Sequence, residues 1–353
     1  MNINLDKLNL SKADPGDMNK TLSHFVDFCI DANSISDRYA LPTYLIKCKK
    51  VVFLGMGASG IAGEFLKDLM IDSPIFVECV HDYSLPRWVD KETLVVALSH
   101  SGNTEEILFA FVSAYTAGAK LLAITTGGKL ESLCSKYRAL IVKYNLNTEP
   151  KLAFPYLFII AFNMMKKLGY VSQSRDDFDK AMNLLHSQTA RINLSSHTAI
   201  NPAKDLANKI FDKFVCCLSS GNLRASGIRL ANTINENGKN LAFYNFLPEM
   251  NHNLIAGFQY PKSSLQKLAV TMIESKFSRL EIKKRQNISS KFLFDIRILC
   301  IRFGFPQAVD RFSEILLSVN FFEYLGMYLG FLNQVDPNSA IAVEKIKNEL
   351  QNS

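Results

Sequence analysis

The sequence has little of what marks membrane, secreted or metal-binding proteins. No uninterrupted apolar run reaches the roughly 20 residues of a membrane-spanning helix. The first residues, Met-Asn-Ile-Asn-Leu-Asp-Lys, lack the basic and apolar blocks of a signal peptide. The seven cysteines are scattered through apolar segments without the spacing of metal ligands. These absences predict a cytoplasmic protein with reduced core thiols, no metal site and no membrane partner.

Basic charge is present but is not concentrated. The chain has 40 Lys and Arg against 33 Asp and Glu, a formal net charge of +7, with one local cluster at residues 279–285. No helix-turn-helix pattern occurs, so nucleic acid is not an expected partner. A mild positive excess favours an anionic small-molecule substrate instead, because it steers such a substrate toward the protein.

Length and hydrophobic patterning predict two α/β units. A chain of 353 residues is long enough for two cores. After an amphipathic helix expected over 16–36, apolar runs alternate with helical segments, which predicts a parallel sheet covered by helices on both faces. The predicted strands of this first unit are 50–54, 75–80, 93–98, 120–124 and 139–142. We place the boundary after residue 165, which gives units 1–165 and 166–353.

The second half repeats the pattern of the first. A strand predicted over 213–218 leads into a small-residue turn and a helix over 223–236, and further strands are expected at 267–273 and 294–300. The apolar residues 312–332 predict one or two buried helices. We interpret the halves as a pseudo-repeat of one flavodoxin-like or Rossmann-like three-layer fold.

A turn rich in hydroxyl groups follows the buried strand 93–98. It contains Ser99, Ser101 and Thr104, and a helical segment comes next. Such a turn binds anions, because the first N–H groups of a helix lack intrahelical partners and the helix dipole is positive there. Ser and Thr are also common helix caps, and Glu105 and Glu106 would repel a phosphate on their own side.

A second small-residue turn, Gly-Met-Gly-Ala-Ser-Gly at 55–60, follows the first strand. Its glycine spacing also fits a dinucleotide fingerprint, with Asp82 near the position of the ribose-binding acid. That alternative gives no role to Ser59 or to the hydroxyls at 99–104. One phosphate held by both turns, with Gly57 and Ser59 in the first, accounts for more of the sequence.

With these motifs the chain resembles the sugar isomerase (SIS) domain, and its later motifs are similar to the bifunctional phosphoglucose/phosphomannose isomerase family. Those motifs are Asn-Glu-Asn-Gly-Lys at 235–239, Pro-Glu-Met-Asn-His-Asn at 248–253 and Val-Asp-Pro at 335–337. The resemblance implies two SIS-type subdomains. It also implies a cofactor-free isomerase of glucose 6-phosphate and fructose 6-phosphate that acts through a cis-enediol(ate), with use of mannose 6-phosphate left open.

The resemblance also implies catalytic roles. Glu236 is the candidate general base that moves the proton between C1 and C2, with an ordinary helix-end acid as the alternative. His252 would open the sugar ring and would reach the site from the neighbouring subunit of a homodimer. Lys347, or Lys345 in another register, would assist at the ring oxygen, although both are equally placed to be solvated helix charges.

Three departures from the family pattern concern the site. Where the family has Pro-Arg, the chain has Pro150-Lys151, and a lysine supplies charge to an enediolate without the planar fork of arginine. Ala58 replaces a glycine in the first turn. The absence of a threonine near residues 338–340 weakens the expectation for mannose 6-phosphate.

Two other functions fit the phosphate turns. A non-catalytic SIS regulator would bind a sugar phosphate without needing Glu236, His252 and Lys347 together. An isomerase of another phosphosugar, such as an amino sugar, would differ only in its sugar contacts. The presence of all three catalytic candidates favours the isomerase, for which neither metal nor organic cofactor is expected.

Overall fold

The chain forms two parallel β-sheets flanked by helices in a computed structural model that describes residues 3–46, 48–146 and 150–352. The first sheet has the strand order β2-β1-β3-β4-β5. Its strands are β1 Lys50–Leu54, β2 Phe76–Val80, β3 Thr93–Leu98, β4 Lys120–Thr125 and β5 Leu140–Lys143. All five confirm the predicted strands to within one residue at either end. Every residue of β3 is buried, as expected of a strand covered on both faces.

The second sheet has the order β7-β6-β8-β9 and is also parallel. Its strands are β6 Phe214–Ser220, β7 Ala242–Leu247, β8 Leu268–Glu274 and β9 Leu299–Gly304. The predictions at 213–218 and 267–273 are confirmed, while β7 was not predicted. Within β6, Cys216 and Cys217 join different core clusters on opposite faces of the sheet, because successive side chains of a strand point to opposite faces.

Helices cover the faces of both sheets. In the described residues they are α1 Leu10–Ala13, α2 Met18–Ser23, α3 Phe25–Asp37, α4 Gly57–Leu69, α5 Glu105–Thr116, α6 Gly128–Tyr137, α7 Phe154–Lys167, α8 Arg175–Ile192, α9 Pro202–Ile210, α10 Arg224–Glu236, α11 Leu254–Gly257, α12 Lys262–Leu265, α13 Leu280–Asp295, α14 Arg311–Leu332 and α15 Ile341–Asn352. Short 3₁₀ turns lie at Thr43–Leu45, Pro150–Leu152, Gly221–Leu223 and Glu249–His252.

Two predicted elements need correction. The helix expected over 16–36 is two helices, because the N–H of His24 bonds the carbonyl of Thr21 and the chain turns there. The strand expected over 294–300 is wrong at its start, since α13 continues to Asp295. The buried positions of α13 include Gln286 and Ser289, so polar residues on its inner face concealed the helical period.

The apolar residues 312–332 form a single helix, α14, at the centre of the molecule. By length and composition α14 could cross a membrane, but the whole of its apolar stretch is buried among other helices, as in a core helix. Gly326 and Gly330 allow α10 to approach closely. A Cβ at Gly326 would stand 2.6 Å from Thr233 Cγ2, and one at Gly330 would stand 2.7 Å from the carbonyl oxygen of Asn237. This packing fixes the carboxyl end of α10.

One hydrophobic core joins the two sheets through α7, α8 and α14. All strands of each sheet nevertheless come from one half of the sequence. We therefore keep the division into units 1–165 and 166–353 as a proposal, with α7 crossing the boundary.

Candidate active site at the switch point of the first sheet

The two small-residue turns lie side by side at one edge of the first sheet. Leu54, the last residue of β1, pairs with Ala97 near the end of β3, so the turns at 55–60 and 99–104 leave the sheet together. The strand order of the sheet reverses between β1 and β3. In open α/β sheets, ligands bind outside the carboxyl ends of the strands at such a switch point. The predicted proximity of the two turns is confirmed.

The first turn brings bare backbone to the beginning of α4. Gly57 has φ +52°, and no heavy atom of the described residues lies within 4 Å of the position its Cβ would take. Gly60 is held against the preceding strand end, since a Cβ there would stand 2.5 Å from the carbonyl oxygen of Gly55. The residue at the N-cap position, Met56, makes no side-chain capping bond. Ser59 is buried in the first turn of the helix.

A histidine and a glutamate buttress this turn. One ring nitrogen of His81, Nδ1, lies 2.6 Å from the carbonyl oxygen of Gly55, and Nε2 lies 3.0 Å from Glu64 Oε1. Both neighbours are acceptors, so the doubly protonated ring satisfies them. The bond to Glu64 raises the pKa of His81. Burial raises the pKa of Glu64, but His81 outweighs burial and holds it below its usual range. The pair was not predicted from the sequence; His81 directly follows β2 and Glu64 lies within α4.

The second turn is organised around Ser99. Its buried Oγ accepts the N–H of Gly102 at 3.2 Å and lies 3.4 Å from Thr104 Oγ1. Thr104 stands at the N-cap position of α5, yet its side chain makes no capping bond. Ser101 is exposed, and its Oγ accepts the N–H of Asn103 at 3.2 Å. Helix capping therefore does not explain the hydroxyl at Thr104.

Helix α10 brings Glu236 toward these turns. At its amino end, the N–H of Ala225 donates to Asp68 Oδ2, near the carboxyl end of α4, at 2.7 Å. Because α10 and α4 also pack against each other, α10 runs back along α4. Its last residue, the partly buried Glu236, then lies on the side where α4 begins.

Two lysines converge beside Glu236. Lys151 Nζ donates to the carbonyl oxygen of Pro337 at 2.6 Å. Lys239 Nζ lies 3.4 Å from the same oxygen and donates to the carbonyl of Glu236. Burial lowers the pKa of Lys239, while Asp336 and Glu236 act in the opposite direction. Lys239 belongs to the motif at 235–239, but the sequence analysis predicted no role for it.

A buried ion pair lies beneath this cluster. Arg229, 1% exposed, donates to Glu323, and its Nη2 also donates to the carbonyl oxygen of Lys151 at 3.0 Å. The second oxygen of Glu323 accepts from Asn237 Nδ2 at 3.1 Å. Burial raises the pKa of Glu323 against the attraction of Arg229. The pair thus fixes Lys151 and Asn237, which both lie near Glu236. Its signal in the sequence was a glutamate inside the apolar run 312–332, because a buried charge needs a partner.

Within one chain, the structure places His252 away from this cluster and Lys347 on the exposed helix α15. His252 is exposed in the turn that follows β7, whereas Glu236 precedes β7, and six extended residues span about 20 Å. Lys345 and Lys347 are exposed on α15, where each residue from 341 to 350 is exposed. Asp82, the candidate ribose ligand, is exposed and accepts the N–H of Tyr83 at 2.6 Å. Among the described residues, no group of three or more His, Cys, Asp or Glu could hold a metal ion.

Comparison with known proteins places this geometry in a family. The profile of the bacterial phospho-glucose isomerase C-terminal SIS domain matches residues 199–350, and that of the SIS domain matches residues 44–148. The bifunctional phosphoglucose/phosphomannose isomerase of Caldicellulosiruptor bescii is 30% identical over 305 residues, 85% of this chain and 89% of the relative. The chain belongs to the bifunctional phosphoglucose/phosphomannose isomerase family. A second relative of that name, from Aquifex aeolicus, is 30% identical over 86% of this chain and 91% of its own length.

One further relative and one solved structure carry different names. The D-glucosamine-6-phosphate 4-epimerase of Sulfolobus acidocaldarius is 30% identical over 59% of this chain and 63% of its own length. The crystal structure of tagatose-6-phosphate ketose/aldose isomerase from Escherichia coli covers 92% of this chain and 96% of its own at a TM-score of 0.68 and 14% identity. At that identity the likeness establishes the fold alone.

Proposed function

We propose that the chain is an aldose–ketose isomerase that interconverts glucose 6-phosphate and fructose 6-phosphate without a cofactor, through a cis-enediol(ate). The observation that carries this proposal is the convergence of Lys151 and Lys239 beside Glu236, the last residue of α10, which packs against α4, the helix of the first phosphate turn. The names of the relatives from C. bescii and A. aeolicus support the same reaction.

In this proposal the two turns hold the phosphate. The backbone around Gly57 and the beginning of α4 offer N–H groups and a positive dipole end. Ser59 contributes to the first turn, and the hydroxyls of Ser99, Ser101 and Thr104 add donors from the second. The doubly bonded His81 keeps the first turn in place and adds positive charge close to it.

The carboxylate of Glu236 moves the proton between C1 and C2. Negative charge then develops on the enediolate oxygens, and positive groups aimed at developing charge lower the barrier to reaction. Lys151 and Lys239 supply that charge beside Glu236, so two ammonium groups take the place of one guanidinium fork. Arg229 acts through the backbone of Lys151 and through Glu323, and is a positioning residue.

His252 opens the sugar ring from the neighbouring subunit of a homodimer. The support is its separation from Glu236 by the length of β7 within one chain, together with its exposure to a partner. Lys347 assists at the ring oxygen, since α15 begins four residues after Pro337, which both site lysines approach. We expect the enzyme to work in the cytoplasm, where its seven free thiols stay reduced.

A substrate panel with one variant tests the reaction. Purified protein is assayed with fructose 6-phosphate, mannose 6-phosphate and glucosamine 6-phosphate, the last to detect an isomerase of another phosphosugar. Glu236→Gln should lower kcat by at least ~10²-fold with little change in KM, as for loss of a general base. Glu281→Gln, on the exposed side of α13, is the matched control. Wild-type turnover by Glu236→Gln would refute the assigned base, and binding without turnover of any substrate would indicate a regulator.

Mixing two inactive variants tests the shared site. In a hybrid of Glu236→Gln with His252→Ala chains, one site receives both an intact Glu236 and an intact His252 if the histidine comes from the partner. Random reassortment then restores about a quarter of wild-type activity, because half of the dimers are hybrids with one intact site. No recovery, with mixed dimers demonstrated by mass, would place His252 in the site of its own chain.

A further inference from the structure

The second sheet has a switch point of the same design as the first. Its order reverses between β6 and β8, which correspond to β1 and β3 in the first sheet. Gly57, in the turn after β1, and Gly221, in the turn after β6, have almost the same backbone angle, φ +52° and φ +53°. Ser99 and Ser275 each follow directly on the second strand of the pair. The second half therefore carries the parts of a second anion site.

An internal carboxylate lies at this second switch point. Glu314, from the first turns of α14, has no exposed surface. Its Oε2 accepts the hydroxyl of Ser275 at 2.7 Å and the side-chain amide of Asn222 at 3.0 Å. The backbone N–H of Lys276 faces the same carboxylate. A hydroxyl and a side-chain amide thus donate to Glu314, and a backbone N–H faces it. Hydroxyl and backbone N–H groups are also the donors that the first switch point offers to a phosphate.

The amino end of the following helix is also filled from within the chain. The N–H of Ala225, in the first turn of α10, donates to Asp68, which comes from α4 of the other half. Neither N-cap residue, Met56 of α4 nor Leu223 of α10, caps its helix with its own side chain. Both carboxylates are buried, and burial raises the pKa of Asp68 and of Glu314 to about 7.

We propose that the switch point of the second sheet is an anion site built like the first, and that the side chain of Glu314 permanently fills it. Each chain then keeps one open phosphate site, at the turns 55–60 and 99–104. The inference concerns the second sheet only, and it does not depend on the reaction proposed for the first.

Glu314→Ala tests the proposal directly. The change removes the atoms of one acetate group and leaves the donors of Ser275 and Asn222 in place. Acetate should then bind the variant and raise its melting temperature by about 2–3 °C at ten times its dissociation constant. It should leave the wild type and the exposed control Glu281→Ala unchanged. Adding Ser275→Ala to the variant should weaken acetate binding at least about tenfold, as for a lost bond to a charged group. Calorimetry and thermal scans measure both effects.

Two further outcomes keep the test decisive. If Glu314→Ala folds only when acetate is present, that dependence supports the proposal equally. A folded Glu314→Ala that responds to acetate no more than the wild type overturns it. Titration of the wild-type protein with inorganic phosphate is independent of folding of the variant, and two sites per chain would also overturn the proposal. If the wild type binds no phosphate, the proposed function of the first sheet fails, while acetate binding by Glu314→Ala still decides the present inference.

Discussion

Removing the hydroxyl of Ser99 should weaken substrate binding more than removing any other hydroxyl in the two turns. Ser99 is 2% exposed, so water does not replace its donor once a phosphate is bound. A hydrogen bond to a charged group contributes about 1.5–3 kcal/mol. Ser99→Ala should therefore raise KM by about 10- to 150-fold. Turnover at saturation should change little, because the phosphate is held alike in the ground and transition states.

The neighbouring hydroxyls give an internal ranking. Ser101 is exposed and already bonds the N–H of Asn103, so Ser101→Ala should cost less than Ser99→Ala. Thr104 lies 3.4 Å from Ser99 Oγ, and Thr104→Ala should fall between the two. Ser113→Ala serves as the control, since its exposed hydroxyl bonds only the carbonyl of Phe109 within α5.

The assay must separate binding from folding. Ser99 Oγ also accepts the N–H of Gly102, so Ser99→Ala should lower the free energy of unfolding by about 1–3 kcal/mol. Inhibition by inorganic phosphate provides the second readout, and its inhibition constant should rise by the same factor as KM. A variant that is destabilised but binds phosphate as the wild type does would refute the phosphate role of Ser99 and leave it a purely structural residue.

Three further predictions concern the framework of the site. Asp68→Asn should flatten the pH dependence of the free energy of unfolding. Burial raises the pKa of Asp68 in the folded protein to about 7, so its stabilising contribution is complete below its unfolded pKa and is lost between about pH 4 and 7. The loss is roughly 4 kcal/mol and is measured by urea titrations at each pH. Arg229→Met should cost about 3–5 kcal/mol by leaving the buried Glu323 without its counter-charge, and adding Glu323→Met should recover stability without recovering kcat. Gly102→Ala should unfold far more readily than Gly118→Ala in thermal scans, because both have positive φ but only at Gly102 would a Cβ stand 1.9 Å from another residue's backbone.

The first sheet could be predicted from sequence because its signals are local. Each strand is an apolar run bounded by turn residues, and the turn residues predict where the next helix begins. The second sheet was harder. β7 contains Phe243 and Tyr244, which are both exposed, so its pattern is not that of a buried strand. In α13 the buried Gln286 and Ser289 weakened the apolar stripe, and the aromatic residues near its end were mistaken for a strand.

The candidate site divides in the same way. The phosphate turns were predictable, since a strand, a small-residue turn and a helix are contiguous in sequence. The cluster around Glu236 was only partly so, because its lysines meet at Pro337 through contacts between residues nearly 100 or more positions apart. The pairing of Arg229 with Glu323 is equally remote in sequence. Such contacts are set by the packing of α10 on α14, which no local pattern encodes.

The two halves use one design for different ends, and α10 connects them. At its amino end, the anion-binding position of a helix is filled by Asp68 from the first half, which ties the halves together. At its carboxyl end, Glu236 extends toward the turns that hold the phosphate in the first half. A helix of 13 residues is about 20 Å long, so it can span from the filled switch point of the second sheet to the open one of the first. If external anions took the places of the Glu314 and Asp68 side chains, the contact between the two halves at the amino end of α10 would depend on the concentration of those anions. Internal carboxylates keep α10, and hence Glu236, in place before any substrate arrives.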